Sequence, residues 1–239
     1  MDSSLELAPG RIADASGALY LEATATVMIA DAHLGYGWAQ RRRGQMGPTT
    51  DGGIRARLLD VVRRFAPLEL VFLGDTVHAP RPSAAEREFV EEVLGELAAM
   101  AKLVVVEGNH DRAFQRDFGH MPVEVRRDWE HDGVIGLHGD KLHLELPEAR
   151  HYLLGHLHPA IKLEDDAGVK RRVPAFLVGQ RATVLPAFSP FAAGFDVSEG
   201  MLPREVRAVL GPHDVVVVTG RRIARLPSKT NRSARGARG

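Results

Sequence analysis

Five short apolar runs each end in a carboxylate, an amide or an imidazole. Asp31 and His33 follow Val27 to Ala30, Gly74-Asp75 follows Leu70 to Leu73, and Gly108-Asn109-His110-Asp111 follows Leu103 to Val106. His138 closes Val134 to Leu137, and Gly155-His156-Leu157-His158 closes Tyr152 to Leu154. Residues two apart on extended chain point to the same side, so Asp31 with His33, and His156 with His158, can each face one cation. Carboxylate, imidazole and amide oxygen without thiolate suit hard or borderline divalent ions such as manganese, iron or zinc, and the chain has no cysteine. An aspartate such as Asp75 can bridge two ions with its two oxygens, holding them roughly 3.5–4 Å apart. Each feature alone has an ordinary explanation. Gly-Asp is a common turn, and Gly-Asn-His-Asp can serve as one because glycine and asparagine tolerate left-handed backbone. Five in order, each closing an apolar run, go beyond turn chemistry.

The elements that must position these groups are legible as a pattern. The five apolar runs read as buried strands. Between them, Asp51 is placed to cap a helix running to about Phe65, with Ile54, Leu58, Val61 and Val62 on one face. Ser83, with Glu86 three residues later, is placed to cap another to about Met100, with Phe89, Val93, Leu94 and Leu97 facing inward. Alternating strand and helix is the pattern of an α/β layered sheet, and ligands at strand carboxyl ends lie where such sheets keep their crevice. The second half reads as strands at Arg172 to Val178, Thr183 to Pro186 and Asp214 to Thr219, with a short helix near Pro203 to Leu210. A second, more antiparallel sheet is expected there.

The ordered set Asp31-x-His33, Gly74-Asp75, Gly108-Asn109-His110-Asp111, His138 and Gly155-His156-x-His158 resembles the calcineurin-like metallophosphoesterase superfamily over residues 26 to 159. The resemblance implies an α/β fold, a four-layer α/β/β/α sandwich of two mixed β-sheets flanked by helices. It implies two divalent metal ions, with manganese expected and iron or zinc as alternatives. Asp31, His33, Asp75 and His158 would hold one ion, and Asp75, Asn109, His138 and His156 the other. His110 would approach the substrate without binding metal and, as imidazolium, protonate the leaving alkoxide, with Asp111 orienting its ring. Many members continue Gly-Asp-x-x-Asp, whereas this chain reads Gly74-Asp75-Thr76-Val77-His78. His78 is similar to what repair nucleases of the superfamily carry; it either takes part in catalysis or supports the metal site from behind. Ala30-Asp31-Ala32-His33-Leu34-Gly35 and the terminal Gly-His-x-His-Pro most resemble the bacterial DNA-ligase-associated metallophosphoesterases. That subgroup implies a DNA endonuclease for single-stranded or flapped DNA in repair, linked functionally to a DNA ligase and a helicase. Residues 1–226 would be the catalytic domain and 227–239 a basic disordered tail.

Substrate is less directly written. Tyr36, Trp38, Arg41, Arg42 and Arg43 follow the first ligand pair. Aromatic platforms beside arginines suit single-stranded nucleic acid, where stacking contributes roughly 1–3 kcal/mol per base. A solvated loop with Trp38 as a core anchor is the ordinary alternative. Arg112, Arg116, Arg126 and Arg127 are further candidates for the same cleft. Two other readings compete: a phosphodiesterase or phosphatase for cyclic or dinucleotides, and a metal-binding scaffold, the latter disfavoured because every expected ligand and His110 are present.

Composition is that of an ordinary soluble domain, with 44% hydrophobic and 26% charged residues. Formal net charge is zero, from 31 basic and 31 acidic side chains. Seven of the basic ones lie in residues 221–239, which contain no acid. The remainder is 24 basic against 31 acidic, so residues 1–220 carry a charge of minus seven. A basic end can attract phosphate backbones at long range. No apolar run reaches the roughly 18 residues that would cross a bilayer. Met1 to Pro9 lack a basic region followed by an apolar stretch, and absent cysteine fits a reducing interior. A cytoplasmic protein without membrane partners is expected.

Overall fold

The computed structural model describes residues 3–42, 44, 51–164, 168–192, 194–197 and 202–227. Arg43 and the basic tail from residue 228 onward lie outside the described residues, as does the side chain of Asp51.

The first sheet is built from β1 (Ser4–Ala8), β2 (Arg11–Asp14), β3 (Leu19–Leu21), β4 (Thr26–Ile29), β5 (Glu69–Leu73), β6 (Lys102–Val106) and β7 (Val123–Arg126), paired in sequence order. β1 to β4 form an antiparallel meander, and β4 to β7 run parallel. Helices fill the crossovers: α1 (Tyr36–Arg42) and α2 (Asp51–Phe65) between β4 and β5, α3 (Ala84–Ala98) between β5 and β6, and a short helical turn, Phe114–Phe118, between β6 and β7. Alternation decides which layer each strand residue joins. Val27, Ile29, Leu70, Phe72, Leu103 and Val105 pack with α2 and α3, while Met28, Val71, Leu73, Val104 and Val106 face the second sheet.

α2 keeps its expected span, and Ile54, Leu58, Val61 and Val62 are its buried stripe. α3 begins with the expected capping box: the Ser83 hydroxyl accepts from the Glu86 amide, and the Glu86 carboxylate accepts from the Ser83 amide at 2.7 Å. Val90 rather than Phe89 lies fully inside, with Phe89 packed at the edge of the core.

The second sheet comprises β8 (Trp129–His131), β9 (Val134–Leu137), β10 (His151–Leu154), β11 (Pro159–Glu164), β12 (Lys170–Gly179), β13 (Ala182–Val184), β14 (Phe195–Asp196), β15 (His213–Val218) and β16 (Ile223–Arg225). It is mixed and, as expected, the more antiparallel of the two sheets: five of its pairings are antiparallel, while β9, β10 and β13 run parallel at its centre and β11 pairs parallel with β14. Leu153, Phe176, Val216 and Val218 face the first sheet. Tyr152, Leu154 and Leu177 face outward, where a further helix, α4 (Arg204–Leu210), covers them with Val206 and Leu210. The layers are therefore helix, sheet, sheet, helix, the expected sandwich. Among the described residues no helix is long and apolar enough to cross a membrane.

The segment after the first ligand pair is helical rather than loop-like. α1 is held to the start of α3 by Arg42, which lies 3.3 Å from the buried Glu86 carboxylate and donates to the Arg81 carbonyl. Trp38 is half-buried, with the Arg41 guanidinium 4.3 Å above its ring.

Candidate metal centre

The carboxyl ends of β4, β5 and β6 in one sheet meet those of β9 and β10 in the other, and all seven expected ligands lie there. Among the described residues three side-chain groups form: the imidazoles of His33, His78 and His110 make one, and two combine histidine with aspartate. Asp31, His33 and His158 offer ligand atoms within 4.8 Å of one another, as do Asp75, His138 and His156. Asn109 joins the second group, its Oδ1 3.0 Å from His138 Nε2. Asp75 stands between the groups: Oδ1 is 3.4 Å from His138 Nε2, and Oδ2 is 4.0 Å from His33 Nε2.

The backbone bends sharply to present these atoms. Asp31, His33, Asp75, His156 and His158 all have positive φ, between 47° and 65°. Left-handed backbone is uncommon for residues with a Cβ and concentrates at functional sites. Gly74 at φ 78° precedes Asp75, and a Cβ there would run into the His138 imidazole. Glycine is thus required twice over at this turn, by conformation and by space.

Bonds between the sheets lock the ligands. His138 Nδ1 donates to the Leu73 carbonyl at 3.0 Å, which leaves Nε2 as a free lone pair beside Asn109 and Asp75. Asp31 Oδ2 accepts the His156 amide at 2.9 Å, and Asp75 Oδ1 accepts the His110 amide at 2.9 Å.

The donor set fits metal ions. His158 Nε2 approaches Asp31 Oδ1 to 3.0 Å, yet not in hydrogen-bonding geometry, and both atoms are buried without a hydrogen-bond partner. Orphaned buried polar atoms are costly unless something satisfies them, and two ligand atoms aimed past each other suit a shared cation. Burial holds the His33 imidazole far below its usual range, to about 3, against the opposing charge of Asp31. Burial, then His138, lowers His156 as well. Both rings are thereby neutral, as metal ligands must be. Burial also opposes the charged form of His158, but Asp31 outweighs it and raises that ring.

His33, Asp75, Asn109, His156 and His158 line an open cavity of ≈ 300 Å³ together with Tyr36, His78, His110 and Ala192. His110 Nδ1 donates to the His78 carbonyl at 2.7 Å, turning Nε2 toward Asp75 Oδ2, 3.9 Å away. The His78 ring is 5.4 Å from that of His33 and 5.7 Å from that of His110.

Asp111 corrects the expectation that the family resemblance implied. It does not orient the His110 ring. Its carboxylate is buried and accepts the amides of Thr76, Val77 and Gly108, tying the β5 loop to the β6 loop. Burial raises it to about 6 in spite of those three donors.

The expected substrate residues divide. Tyr36 lines the cavity, its ring 4.7 Å from His78 and stacked 5.4 Å from Phe191. Trp38, Arg41 and Arg42 are not part of its lining. Nor are Arg116 and Arg126, which bond the neighbouring carboxylates Asp117 and Glu124. Phe191 and Ala192 are site residues the sequence reading missed. They carry no titratable group and arrive through the loop after β13, which pairs with Ala30 and Asp31.

The calcineurin-like phosphoesterase family model matches residues 25–174, more than half of the chain and all of the ligands. The chain belongs to the calcineurin-like phosphoesterases. As such it is a phosphoester hydrolase of a binuclear metal-dependent family, and the two His/Asp groups are its candidate metal sites. Among solved structures, the phosphoesterase is similar to the Pseudomonas putida nuclease MPE, at 22% identity and a TM-score of 0.69, covering 93% of this chain and 98% of that one. It also matches a predicted phosphoesterase from Streptococcus pneumoniae TIGR4 at 13% identity and a TM-score of 0.29, covering 81% and 82% of the two chains. No significant match was found among curated protein sequences.

Proposed function

We propose that this phosphoesterase is a two-metal phosphodiesterase that cuts DNA, a manganese-dependent endonuclease acting on single-stranded or flapped strands in repair. The observation that carries the diesterase reading is the meeting of two ligand groups at Asp75 with His110 Nε2 turned toward the same carboxylate. One ion would lie among Asp31, His33, Asp75 and His158, and the other among Asp75, Asn109, His138 and His156. Bound metal lowers the pKa of coordinated water and neutralises charge on phosphate oxygens.

The chain's own residues supply the rest. His110 stands at the open side of the cavity, and its Nδ1 proton is committed to the His78 carbonyl. In the doubly protonated ring, Nε2 is the atom left to give a proton to the leaving oxygen as water adds to phosphorus and the phosphorus–oxygen ester bond breaks, and the proton released by that water restores the ring. His78 is the brace that aims it. Tyr36, stacked on Phe191, offers an aromatic wall for a base next to the scissile phosphate. The likeness to the Pseudomonas putida nuclease MPE and the resemblance of the motif set to ligase-associated phosphoesterases support DNA as substrate. We place the enzyme in the cytoplasm, working alongside a ligase and a helicase.

The minus-seven charge of residues 1–220 favours a second reading, a phosphodiesterase for cyclic or dinucleotides. Cleavage of an end-labelled single-stranded oligonucleotide with added manganese separates the two. The expected result is cutting by the natural chain and none by His110→Ala. An intact oligonucleotide, with bis-aryl phosphate still hydrolysed, would sink the DNA assignment and select the small diester.

A further inference from the structure

Two cavities flank the metal pocket, and they differ in charge. On the His158 side lies one of ≈ 670 Å³ that shares His158 and Ala192 with the metal pocket. Arg57, Arg171 and Arg172 line it, and no described carboxylate does. On the His156 side lies one of ≈ 510 Å³, lined by Asp140 and Glu205 and by no described lysine or arginine.

Two of the arginines on the first side, Arg57 and Arg172, are held by neutral acceptors. Arg57 donates to the Ser16 carbonyl at 2.7 Å and the Phe188 carbonyl at 3.0 Å, and its guanidinium lies over the Phe188 ring. Arg172 donates to the Gly194 carbonyl at 3.2 Å. A guanidinium positioned by neutral acceptors keeps its full charge and spare N–H donors for an anion, and its planar fork matches phosphate. The half-buried Phe191 lies between this cavity and Tyr36 of the metal pocket, so the stacked pair spans the two spaces.

We infer that the Arg57–Arg172 cavity holds the phosphodiester backbone adjoining the scissile bond, so that a single strand of nucleic acid enters or leaves on the His158 side only. This rests on the nuclease reading above and adds a direction to it. The acidic cavity beside His156 repels a strand.

The test compares the full chain with Arg172→Ala, Arg171→Ala/Arg172→Ala and Glu205→Gln. The readouts are cleavage of a single-stranded oligonucleotide, hydrolysis of bis-aryl phosphate and the salt dependence of oligonucleotide binding. Both arginines lie on the exposed start of β12, and Arg172→Lys, which keeps the charge, is the check on folding. We expect KM for the oligonucleotide, relative to that for bis-aryl phosphate, to rise about tenfold in Arg172→Ala and further in the double variant. The slope of log affinity against log salt should fall by roughly 0.7 for each phosphate that is no longer neutralised. Arg172→Lys should recover part of both, and Glu205→Gln should bind the oligonucleotide as the natural chain does. Unchanged KM and salt slope in the double variant, with the natural chain cutting the oligonucleotide, would overturn this cavity as the strand path while leaving the nuclease reading intact. A natural chain that hydrolyses bis-aryl phosphate but neither binds nor cuts the oligonucleotide would overturn both.

Discussion

The imidazole of His110 is aimed by the backbone of His78: Nδ1 donates to that carbonyl oxygen across 2.7 Å. A carbonyl only accepts, so the bond holds the Nδ1 proton and turns Nε2 toward the cavity. Removal of the ring should therefore lose proton transfer and spare metal binding. His110→Ala is expected to lower kcat by about 10²–10⁴-fold, the usual worth of general acid catalysis, with metal content by elemental analysis unchanged. An active variant, or one stripped of metal, would contradict this role.

Asp111 should behave differently despite being the next residue. Its carboxylate satisfies three buried amides from two loops, and leaving such donors unpaired costs about 1–3 kcal/mol each. Asp111→Ala is expected to lose stability in urea melts by several-fold more than His110→Ala. Its activity should fall through misplacement of Asp75 and Asn109, visible as weaker metal retention. If Asp111→Ala proved as stable as the natural chain, the loop-tying role would be wrong.

Metal should act as a folding ligand. The left-handed backbone at five ligand positions, and the unpartnered atoms of Asp31 and His158, make the emptied site costly to hold together. Adding manganese to chelator-treated protein at one hundred times its dissociation constant should contribute about 2.7 kcal/mol, which for a domain of this size raises Tm by about 5–10 °C. His33→Ala should lose most of that rise along with one equivalent of metal. A Tm indifferent to manganese in the natural chain would speak against a built site.

A pH effect is expected far from the metals. Burial, then the charge of Arg11, lowers His151 from 6.5 to about 4, while its ring bonds Thr183 and the Gln180 carbonyl. Below pH 6.5 the unfolded chain takes up a proton there that the folded chain refuses. This contribution to stability is complete above pH 6.5 and is lost as pH falls toward 4, by roughly 2–3 kcal/mol in all. His151→Gln should remove that slope. Denaturant melts at pH 7.5, 5.5 and 4.5 decide it: parallel losses in both chains would show that the acid sensitivity lies elsewhere.

What the sequence made legible followed from strong local signals. The strands β4, β5, β6, β9 and β10 are apolar runs closed by polar groups, and α3 begins with a Ser83–Glu86 box whose two halves are three residues apart. The metal groups needed only the order of those strand ends. Less could be read where the determinant is remote. α1 is seven residues long, and its anchor, Glu86, lies more than forty positions away. The β1–β3 meander is made of short, half-buried strands with weak alternation. Parallel pairing of β9, β10 and β13 depends on crossovers rather than on composition. Asp111 was misread because the family resemblance assigned it to the His110 ring, whereas the amides that claim its carboxylate belong mostly to Thr76 and Val77.

Two of the hydrogen bonds that cross the sandwich, from His138 to Leu73 and from the His156 amide to Asp31, make the catalytic pocket a seam rather than a patch. Neither sheet owns a complete coordination sphere. Any loosening of the apolar layer between them, for instance around Met28 and Phe176, would register first as drifting ligand geometry and weaker ion retention, while each sheet still kept its strands. Metal affinity in this enzyme is therefore a gauge of how tightly its two halves are pressed together, and a core substitution that never touches the pocket can silence it.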